Sequence, residues 1–492
     1  MLKTYLFPFL LSIGFCVGLG FWDYLSEIKD APLFFVLVLS STFFFIAVKQ
    51  LHSSIFKYIF LALFFVISLY IASGTGFLQG HMSLGIVASM FQSNTNEAFE
   101  FLSVVDPKYI VFAFVIFLSL CFYILFFNQS NQGNYPKLIL TLIFIANGVS
   151  VFGIQTAMAT VKYKQEEAKL LEDNLQDIDW EIQQVNASYD NQVIIIGESV
   201  QRDHLSLYGS KDDTTPFLNE MPLDVVDHYI STAPNTVTSL TRTLTLVDQN
   251  REPQIAKNVV TLAKQAGYNT IWISNQGFMG KNDTAISKIA IHADHQFFLK
   301  SGNYMSSNID DDKMVEILQA QLKKYANQKN VIFIHMMGSH PDACERLFNA
   351  PRMYANKPET INCYLSSINK LDHFIEQIYT TLKADQRSFS VTYFSDHGMT
   401  VDEDSYHIDN DYKDNYQVPF FVLRSDAQAK NHYNKTVSAY DYMHIYADLL
   451  GVKTPLLDPK KSLANIEDNQ NVTVFDWDDY VSYKDLEEGH MR

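Results

Sequence analysis

Five long apolar runs fill the first third of the 492-residue sequence and constrain its fold more than any other feature. They lie at 5–21, 33–48, 55–73, 109–127 and 138–154. Each is close to the roughly 20 apolar residues that a helix needs to span a bilayer. A cleavable signal peptide would give one such run rather than five, and buried core helices are rarely so free of charge. The pattern therefore predicts five membrane spans.

The basic residues in the short loops predict how these spans are oriented. Lys3, Lys49, Lys57 and Lys137 flank the runs on one side, whereas the loop 22–31 between the first two runs is net acidic. Because cytoplasmic loops carry an excess of Lys and Arg, we expect the N-terminus in the cytoplasm. After five spans, the chain beyond residue 155 would lie on the opposite side, which is the periplasm in a Gram-negative bacterium.

The composition divides the chain into a membrane domain (1–155), a bridging helix and linker (156–191) and a soluble domain (192–492). Segment 74–107 is moderately apolar, which predicts amphipathic helices at the membrane–water boundary. The net charge of −17 argues against a nucleic-acid binder. Cys344 and Cys363 fall in the soluble domain, where an oxidising compartment would let them pair. Two free thiols are the alternative.

From residue 192 the sequence alternates between strand and helix patterns. Strands are predicted at 193–196, 270–274, 331–335, 388–395 and 418–423, and helices at 255–266, 311–326, 361–382 and 440–450. Pro419 predicts an edge or end position for the last of these strands. The alternation predicts an α/β domain with a mainly parallel sheet and helices on both faces.

Polar side chains that can bind a metal follow four of the predicted strands. They are Glu198, Asn275, His335, His340, Asp396 and His397. Because the carboxyl ends of parallel strands meet at one edge of a sheet, these side chains should lie together. Carboxylate oxygens and imidazole nitrogens suit zinc, and a Glu, an Asp and a His leave a fourth position for a nucleophile or a substrate oxygen.

The segment 235–243 offers five hydroxyl groups as candidate nucleophiles. A threonine bound to a metal has a lowered pKa and can attack phosphorus. A Thr-rich strand or loop without chemistry is the alternative, and composition does not choose among the five hydroxyls.

These motifs resemble those of the bacterial phosphoethanolamine transferases, a family of the alkaline phosphatase/sulfatase superfamily. Glu198-Ser199 is followed by Arg-Asp-His-Leu-Ser-Leu-Tyr-Gly at 202–209 and Thr-Thr-Pro-Phe-Leu at 214–218. Gly-Ser-His at 338–340, Ser-Asp-His-Gly at 395–398 and Gln-Val-Pro at 417–419 continue the match in order. The resemblance covers nearly the whole chain and implies an inner-membrane enzyme with five spans and a periplasmic catalytic domain.

The resemblance also implies roles for the residues at the matching positions. Glu198, Asp396 and His397 would bind a catalytic Zn²⁺ together with Thr236, the nucleophile. His340 and His407 would bind the phosphoryl group or a second zinc ion, and one of them would act as the proton donor.

Further matching positions imply contacts with the substrate. Asn275 and Lys281 would contact the phosphoethanolamine, and His335 would do the same or serve a structural role. Glu97, with Ser93, would reach from segment 74–107 toward the amine of the donor.

The implied reaction moves phosphoethanolamine from phosphatidylethanolamine to Thr236 and then to a cell-envelope acceptor. The acceptor would be lipopolysaccharide, at its core or at lipid A, or a periplasmic glucan, and the enzyme would act as a monomer. In the lipid A branch of the family a disulfide flanks the nucleophile, whereas this chain has no cysteine near Thr236. The sequence Trp-Ile-Ser-Asn-Gln at 272–276 looks more like the branches that act on core sugars or glucans.

Three alternatives compete with this interpretation. A phosphoglycerol transferase similar to lipoteichoic acid synthases would share the five spans and the metal-bound threonine. A sulfatase-like hydrolase would need Cys or Ser in a Cys-x-Pro-x-Arg-like motif, which is absent around Thr236. A non-catalytic membrane sensor with a degenerate domain is disfavoured because every metal position is present.

Overall fold

The computed structural model describes residues 2–18, 31–49, 54–78, 87, 107–126, 153–154, 156–165, 178–276, 285–299, 309–477 and 479–489. The described residues form two compact units. Those up to Lys164 belong to the first and those from Gln165 onward belong to the second.

Four helices make up most of the first unit: α1 (Leu2–Gly18), α2 (Ala31–Lys49), α3 (Ser54–Leu78) and α4 (Pro107–Phe126). They coincide with the first four apolar runs. The buried rings of Phe15, Phe45 and Phe64 pack α1, α2 and α3 together, with centroids 5.7–6.2 Å apart.

Within the described part of the chain, α4 is the one helix long and apolar enough to cross a membrane. The apolar stretches of the other three are shorter: Tyr5–Val17, Phe34–Lys49 and Lys57–Ala72. Nearly all of the fifth run, and most of segment 74–107, lie outside the described residues. The arrangement with five spans therefore stays a prediction.

An eight-stranded sheet forms the centre of the second unit. Its strands are β1 (Asn191–Gly197), β2 (Leu223–Ile230), β3 (Asn269–Ser274), β4 (His295–Phe298), β5 (Asn330–His335), β6 (Phe389–Ser395), β7 (Gln417–Arg424) and β8 (Asn431–Ser438). Their order is β8-β2-β7-β6-β1-β5-β3-β4. Only β7 runs opposite to the other seven, so the predicted mainly parallel sheet is confirmed.

Pro419 predicted an edge or an end position; the edge position is wrong, whereas Pro419 does lie near the end of its strand. This strand is β7, which pairs with β6 on one side and β2 on the other. Pro419 is its third residue, and the pairing with β2 shifts register between Val418 and Phe420. Proline removes one ladder donor, which a strand tolerates at such an irregularity near its end.

Among the described residues, eight helices accompany the sheet: α5 (Pro216–Glu220), α6 (Thr236–Thr243), α7 (Val259–Gln265), α8 (Ala285–Ala290), α9 (Lys313–Lys324), α10 (Ala343–Arg346), α11 (Glu359–Ala384) and α12 (Tyr442–Leu450). The predicted helix 255–266 begins later, at Val259, because Ile255 belongs to a short strand, Pro253–Asn258, that pairs with Thr245–Val247. Residues from α6, α7, α8 and α12 form one core with alternate residues of the sheet. Ile195, Tyr393 and Phe421 alternate with these residues along their strands and so lie on the opposite face of the sheet, where they are also fully buried.

A ladder of side-chain hydrogen bonds aligns the strands at the end of the sheet where β1, β3 and β5 begin. Asn330 donates to Asn191 Oδ1 at 2.9 Å, Asn269 donates to Asn330 Oδ1 at 2.8 Å, and His295 Nε2 lies 3.1 Å from Asn269 Oδ1. A one-residue slip would break all three contacts, so the ladder helps to set the register. The opposite ends of these strands are thereby aligned as well.

The cysteines of the soluble domain are paired. Cys344 in α10 and Cys363 in α11 form a disulfide, as predicted.

Candidate active site

Three buried side chains that can bind a metal meet at the carboxyl ends of β1 and β6. These two strands are paired in parallel, with Gly197 opposite Ser395. Glu198 and Asp396 follow these paired residues directly, and His397 comes next. Ligand atoms of Glu198, Asp396 and His397 lie within 4.8 Å of one another. No other such group of three occurs among the described residues.

Thr236, the first residue of α6, joins these three side chains. Its hydroxyl donates to Glu198 Oε2 at 3.1 Å and lies 3.4 Å from His397 Nε2. The Asn235 side chain accepts from Thr238 N and caps the helix. Ser239 Oγ donates to the carbonyl oxygen of Asp396 at 2.5 Å, which ties α6 to the end of β6.

The hydrogen bonds described for the other hydroxyls in 235–243 do not reach a ligand side chain, and that of Ser239 reaches only the backbone oxygen of Asp396. Thr238 Oγ1 contacts Asn235, and Thr241 Oγ1 donates to the carbonyl oxygen of Val237 at 2.5 Å. Of the hydrogen bonds described for these five hydroxyls, only those of Thr236 reach the side chain of a metal ligand, Glu198. The structure thus makes a distinction that composition could not.

Two carboxylates and one imidazole share a site that is almost closed to water. Burial raises the pKa of Asp396, and the nearby Glu198 carboxylate raises it further. Burial works to raise the pKa of Glu198 as well, but the hydrogen bond and charge of His397 hold it below its ordinary value. Burial works to lower the pKa of His397, yet the Asp396 and Glu198 charges raise it to about 9. Without a cation, protons must therefore balance the two carboxylates.

The donor set fits a divalent cation such as zinc. Asp396 Oδ2 is buried without a hydrogen-bond donor, and His397 Nε2 lies 3.4 Å from it. His397 Nδ1 lies 2.7 Å from the carbonyl oxygen of Gly398, so Nδ1 carries a proton and Nε2 is left for a metal. Oxygen and imidazole ligands in a closed, negatively charged site are the usual ligands of catalytic zinc.

The other three predicted histidines are not part of this group. His407 Nε2 lies 2.6 Å from Ser405 Oγ and 3.3 Å from Asp402 Oδ2, within a hairpin of Thr400–Val401 and Tyr406–His407. His340 lies beyond β5, with Nδ1 2.7 Å from the carbonyl oxygen of Pro341. His335 is buried in the core, and burial lowers its pKa to about 4 despite the opposing charge of Asp396.

The side chain of Asn275, a predicted substrate contact, is engaged within the fold. Its amide donates to the carbonyl oxygen of Ile309 at 2.7 Å and to Asp311 Oδ1 at 2.8 Å. The next residue, Gln276, reaches the ligands instead, with Nε2 3.5 Å from Glu198 Oε2. Lys281, Glu97 and Ser93 lie outside the described residues.

Two residues at the site received no role from the sequence. Gln276 belongs to the 272–276 motif, but only the fold shows which neighbour faces the metal ligands. Ser199, at φ +58°, donates from Oγ to Glu198 Oε1 at 2.7 Å and from its backbone N–H to Asp396 Oδ1 at 3.0 Å. Its position beside Glu198 in the motif was the available signal.

Comparison with known proteins places this site in a family. The family model described as Sulfatase matches residues 190–452. Phosphoethanolamine transferase OpgE of Escherichia coli is 36% identical over 287 residues, which cover 57% of this chain and 54% of that protein. A putative phosphoethanolamine transferase of Haemophilus influenzae is 33% identical over 365 residues, which cover 71% of this chain and 75% of that protein. The matched stretch thus spans about half of OpgE and three quarters of the Haemophilus protein.

Solved structures share the fold. The integral membrane protein lipooligosaccharide phosphoethanolamine transferase A from Neisseria meningitidis has a TM-score of 0.63 at 14% identity, covering 92% of this chain and 97% of that one. The C-terminal periplasmic domain of EptC from Escherichia coli has a TM-score of 0.55 at 22% identity, covering 62% and 95%. The same domain has also been solved as a complex with Zn.

Proposed function

This chain belongs to the sulfatase family and, within it, to the phosphoethanolamine transferases, and we propose that it transfers phosphoethanolamine from phosphatidylethanolamine to a cell-envelope acceptor. The observation that carries this proposal is the hydrogen bond from Thr236 to Glu198, which joins a nucleophile to a set of metal ligands. Such a set can serve phosphoryl transfer, in which catalysis depends on positioning and charge stabilisation.

Thr236 is the nucleophile in this proposal. Glu198 accepts its hydrogen bond, orients Oγ and favours loss of the hydroxyl proton. Oγ then bonds to phosphorus while the bond to the diacylglycerol oxygen breaks. Because Thr236 begins α6, the phosphoryl group would lie at a helix N-terminus, where backbone N–H groups and the helix dipole favour negative charge.

Glu198, Asp396, His397 and Thr236 would hold one zinc ion, in line with the Zn complex of the EptC domain. When bound, zinc lowers the pKa of the threonine hydroxyl and stabilises charge on the phosphoryl oxygens. His340 and His407 stay candidates for the phosphoryl group or for a second zinc ion.

Protons must move in both halves of the reaction. The departing diacylglycerol oxygen takes one from His340 or His407, since histidine is the side chain that most often acts as a general acid or base. A hydroxyl acceptor then attacks phosphothreonine and gives its proton to that imidazole. The bond between phosphorus and Thr236 Oγ breaks, and Glu198 returns to the hydroxyl the proton that it took in the first step. Gln276 would contact the phosphoryl group from beside Glu198, with Asn275 and Lys281 as further candidate contacts.

The donor implies a membrane location. We propose five spans in a bacterial inner membrane, with a cytoplasmic N-terminus and a periplasmic catalytic domain. Phosphatidylethanolamine would enter from the outer leaflet, with Glu97 and Ser93 near its amine. The acceptor would be lipopolysaccharide or a periplasmic glucan. A glucan or a core sugar is favoured over lipid A, because no cysteine lies near Thr236 to form the disulfide that flanks the nucleophile in the lipid A branch.

Turnover of the full chain in detergent tests the proposal. Wild-type protein supplied with phosphatidylethanolamine, zinc and a glucan acceptor should release diacylglycerol. Thr236→Ala should abolish the release, whereas Thr241→Ala removes a hydroxyl from the same helix and should retain it. Equal turnover in wild type and Thr236→Ala would refute the proposed nucleophile. Transfer of phosphoglycerol from phosphatidylglycerol instead, again with release of diacylglycerol, would favour the phosphoglycerol transferase alternative.

A further inference from the structure

Asp311 lies outside every motif that carries the proposed function, yet its side chain contacts residues that pack against the metal ligands. It lies two residues before the start of α9, and its side chain is buried. Three donors converge on its carboxylate: Met337 N at 3.0 Å, Gly338 N at 2.9 Å and the Asn275 amide at 2.8 Å. Three hydrogen bonds to one buried carboxylate are a strong, directional restraint.

The turn that Asp311 holds packs directly against Glu198. Ser339 N donates to the carbonyl oxygen of Glu198 at 3.0 Å. Gly338, at φ +51°, approaches so closely that an added Cβ would lie 2.9 Å from that oxygen and 3.0 Å from Glu198 Cβ. Only glycine adopts this conformation easily and leaves this space. A movement of residues 336–339 would therefore displace the backbone of Glu198.

A second connection runs through Gln276. Its Nε2 donates to the carbonyl oxygen of Met336 at 2.8 Å and lies 3.5 Å from Glu198 Oε2. Asn275, the preceding residue, is held by Asp311 at its amide and by the carbonyl oxygen of His335 at its backbone N–H, at 2.9 Å. Asp311 thus restrains both the turn beneath Glu198 and the residue that precedes Gln276.

We propose that Asp311 is a positioning residue that holds Glu198 and Gln276 in place for metal binding and phosphoryl transfer. This inference rests on the proposed function. Groups behind the direct ligands typically affect metal affinity or activity 10–100-fold. The carboxylate is needed because the groups that face it are donors. In Asp311→Asn the new NH₂ group would face a backbone N–H or the Asn275 amide, and one donor would lose its acceptor.

The experiment measures zinc affinity of the full chain in detergent by competition with a chelator, together with kcat, KM and the thermal midpoint. Asp312→Asn is the matched control, since it removes the same charge one residue later, where the carboxylate lies 3.5 Å from Gln377 Nε2 at the surface. We expect about 10–100-fold weaker zinc binding and a lower kcat with little change in KM for Asp311→Asn. Asp312→Asn should behave as wild type.

Gly338→Ala perturbs the same turn while leaving Asp311 intact, so it covers the case in which Asp311→Asn does not fold. It should weaken zinc binding in the same direction. Wild-type zinc affinity and kcat in both folded variants would overturn the inference. A wild-type protein that binds no zinc would instead overturn the proposed metal site, and the two failures can be told apart because zinc binding is measured without turnover.

Discussion

Gly197 precedes the metal ligand Glu198, and the structure predicts that adding one methyl group there will disturb the site. A Cβ on Gly197 would lie 2.2 Å from the hydroxyl oxygen of Tyr393 and 2.6 Å from its Cζ. Neither partner can easily move. Gly197 is held in β1 opposite Ser395, and the fully buried Tyr393 ring stacks on Phe421 with centroids 5.0 Å apart.

The size of the effect follows from this geometry. Overpacking a rigid core costs about 1–3 kcal/mol, and a contact near 2 Å puts Gly197→Ala at the upper end, about 3 kcal/mol. The Tyr393 hydroxyl is buried without a hydrogen-bond partner, so Tyr393→Phe should stabilise the protein by about 1 kcal/mol. In the double variant the ring carbons remain too close, and we expect partial relief, with a net loss of about 1–2 kcal/mol.

Chemical unfolding of the wild type, both single variants and the double variant gives the four free energies of this cycle. Zinc affinity of the folded variants shows whether strain at Gly197 reaches Glu198. A Gly197→Ala protein as stable as wild type would show that β1 and β6 have room at this point. A strongly destabilised Tyr393→Phe would show that its hydroxyl has a partner.

Three further predictions address stability. Arg387 donates from its guanidinium to the carbonyl oxygens of Leu322, Ala326 and Gln328 at 2.8–3.3 Å, so Arg387→Ala should lower the free energy of unfolding by about 2–3 kcal/mol, and an unchanged urea midpoint would contradict this. Burial lowers the pKa of His335 to about 4, whereas an unfolded histidine titrates near 6.5. As pH falls from 6.5 to 4, His335 therefore binds a proton in the unfolded chain but not in the folded protein. The free energy of unfolding should fall by about 3 kcal/mol over this range. In His335→Gln the free energy of unfolding should depend less on pH over this range, and a dependence as steep as that of the wild type would refute the prediction. Zinc at 100 times its Kd should raise the free energy of unfolding by about 2.7 kcal/mol, an increment that a chelator or Asp396→Asn removes. A thermal midpoint insensitive to chelation would count against the metal site.

Much of the soluble fold could be predicted because hydrophobic strands alternate with amphipathic helices. β1 and β5 each contain an unbroken run of four apolar residues, as parallel strands covered on both faces should. β2 and β8, which were not predicted from the sequence, lack such apolar runs. In β2, Asp224, Asp227 and His228 interrupt the apolar pattern, and buried Asp224 is matched by Arg424, which lies 200 residues away. β8 lies at the sheet edge and is largely exposed and polar, so no periodicity marks it.

The active site, like the fold, could be predicted only in part. Glu198 and Asp396 could be paired from the sequence because both follow strands of one parallel sheet. Which residue after β3 faces them could not be predicted, since Asn275 and Gln276 are neighbours whose side chains diverge. Asp311 has no motif at all, because its role depends on backbone N–H groups rather than on side-chain identity. The positions of His340 and His407 relative to the substrate stay predictions.

The most direct test of the central claim is the mass of the covalent intermediate. Full-length wild type and Thr236→Ala, in detergent with zinc, would be incubated with phosphatidylethanolamine in the absence of acceptor, quenched and analysed by intact-mass and peptide mass spectrometry. We predict one added phosphoethanolamine group on wild type, located at Thr236, and none on Thr236→Ala. An adduct on another residue, or turnover to an acceptor with no adduct on Thr236, would contradict the account.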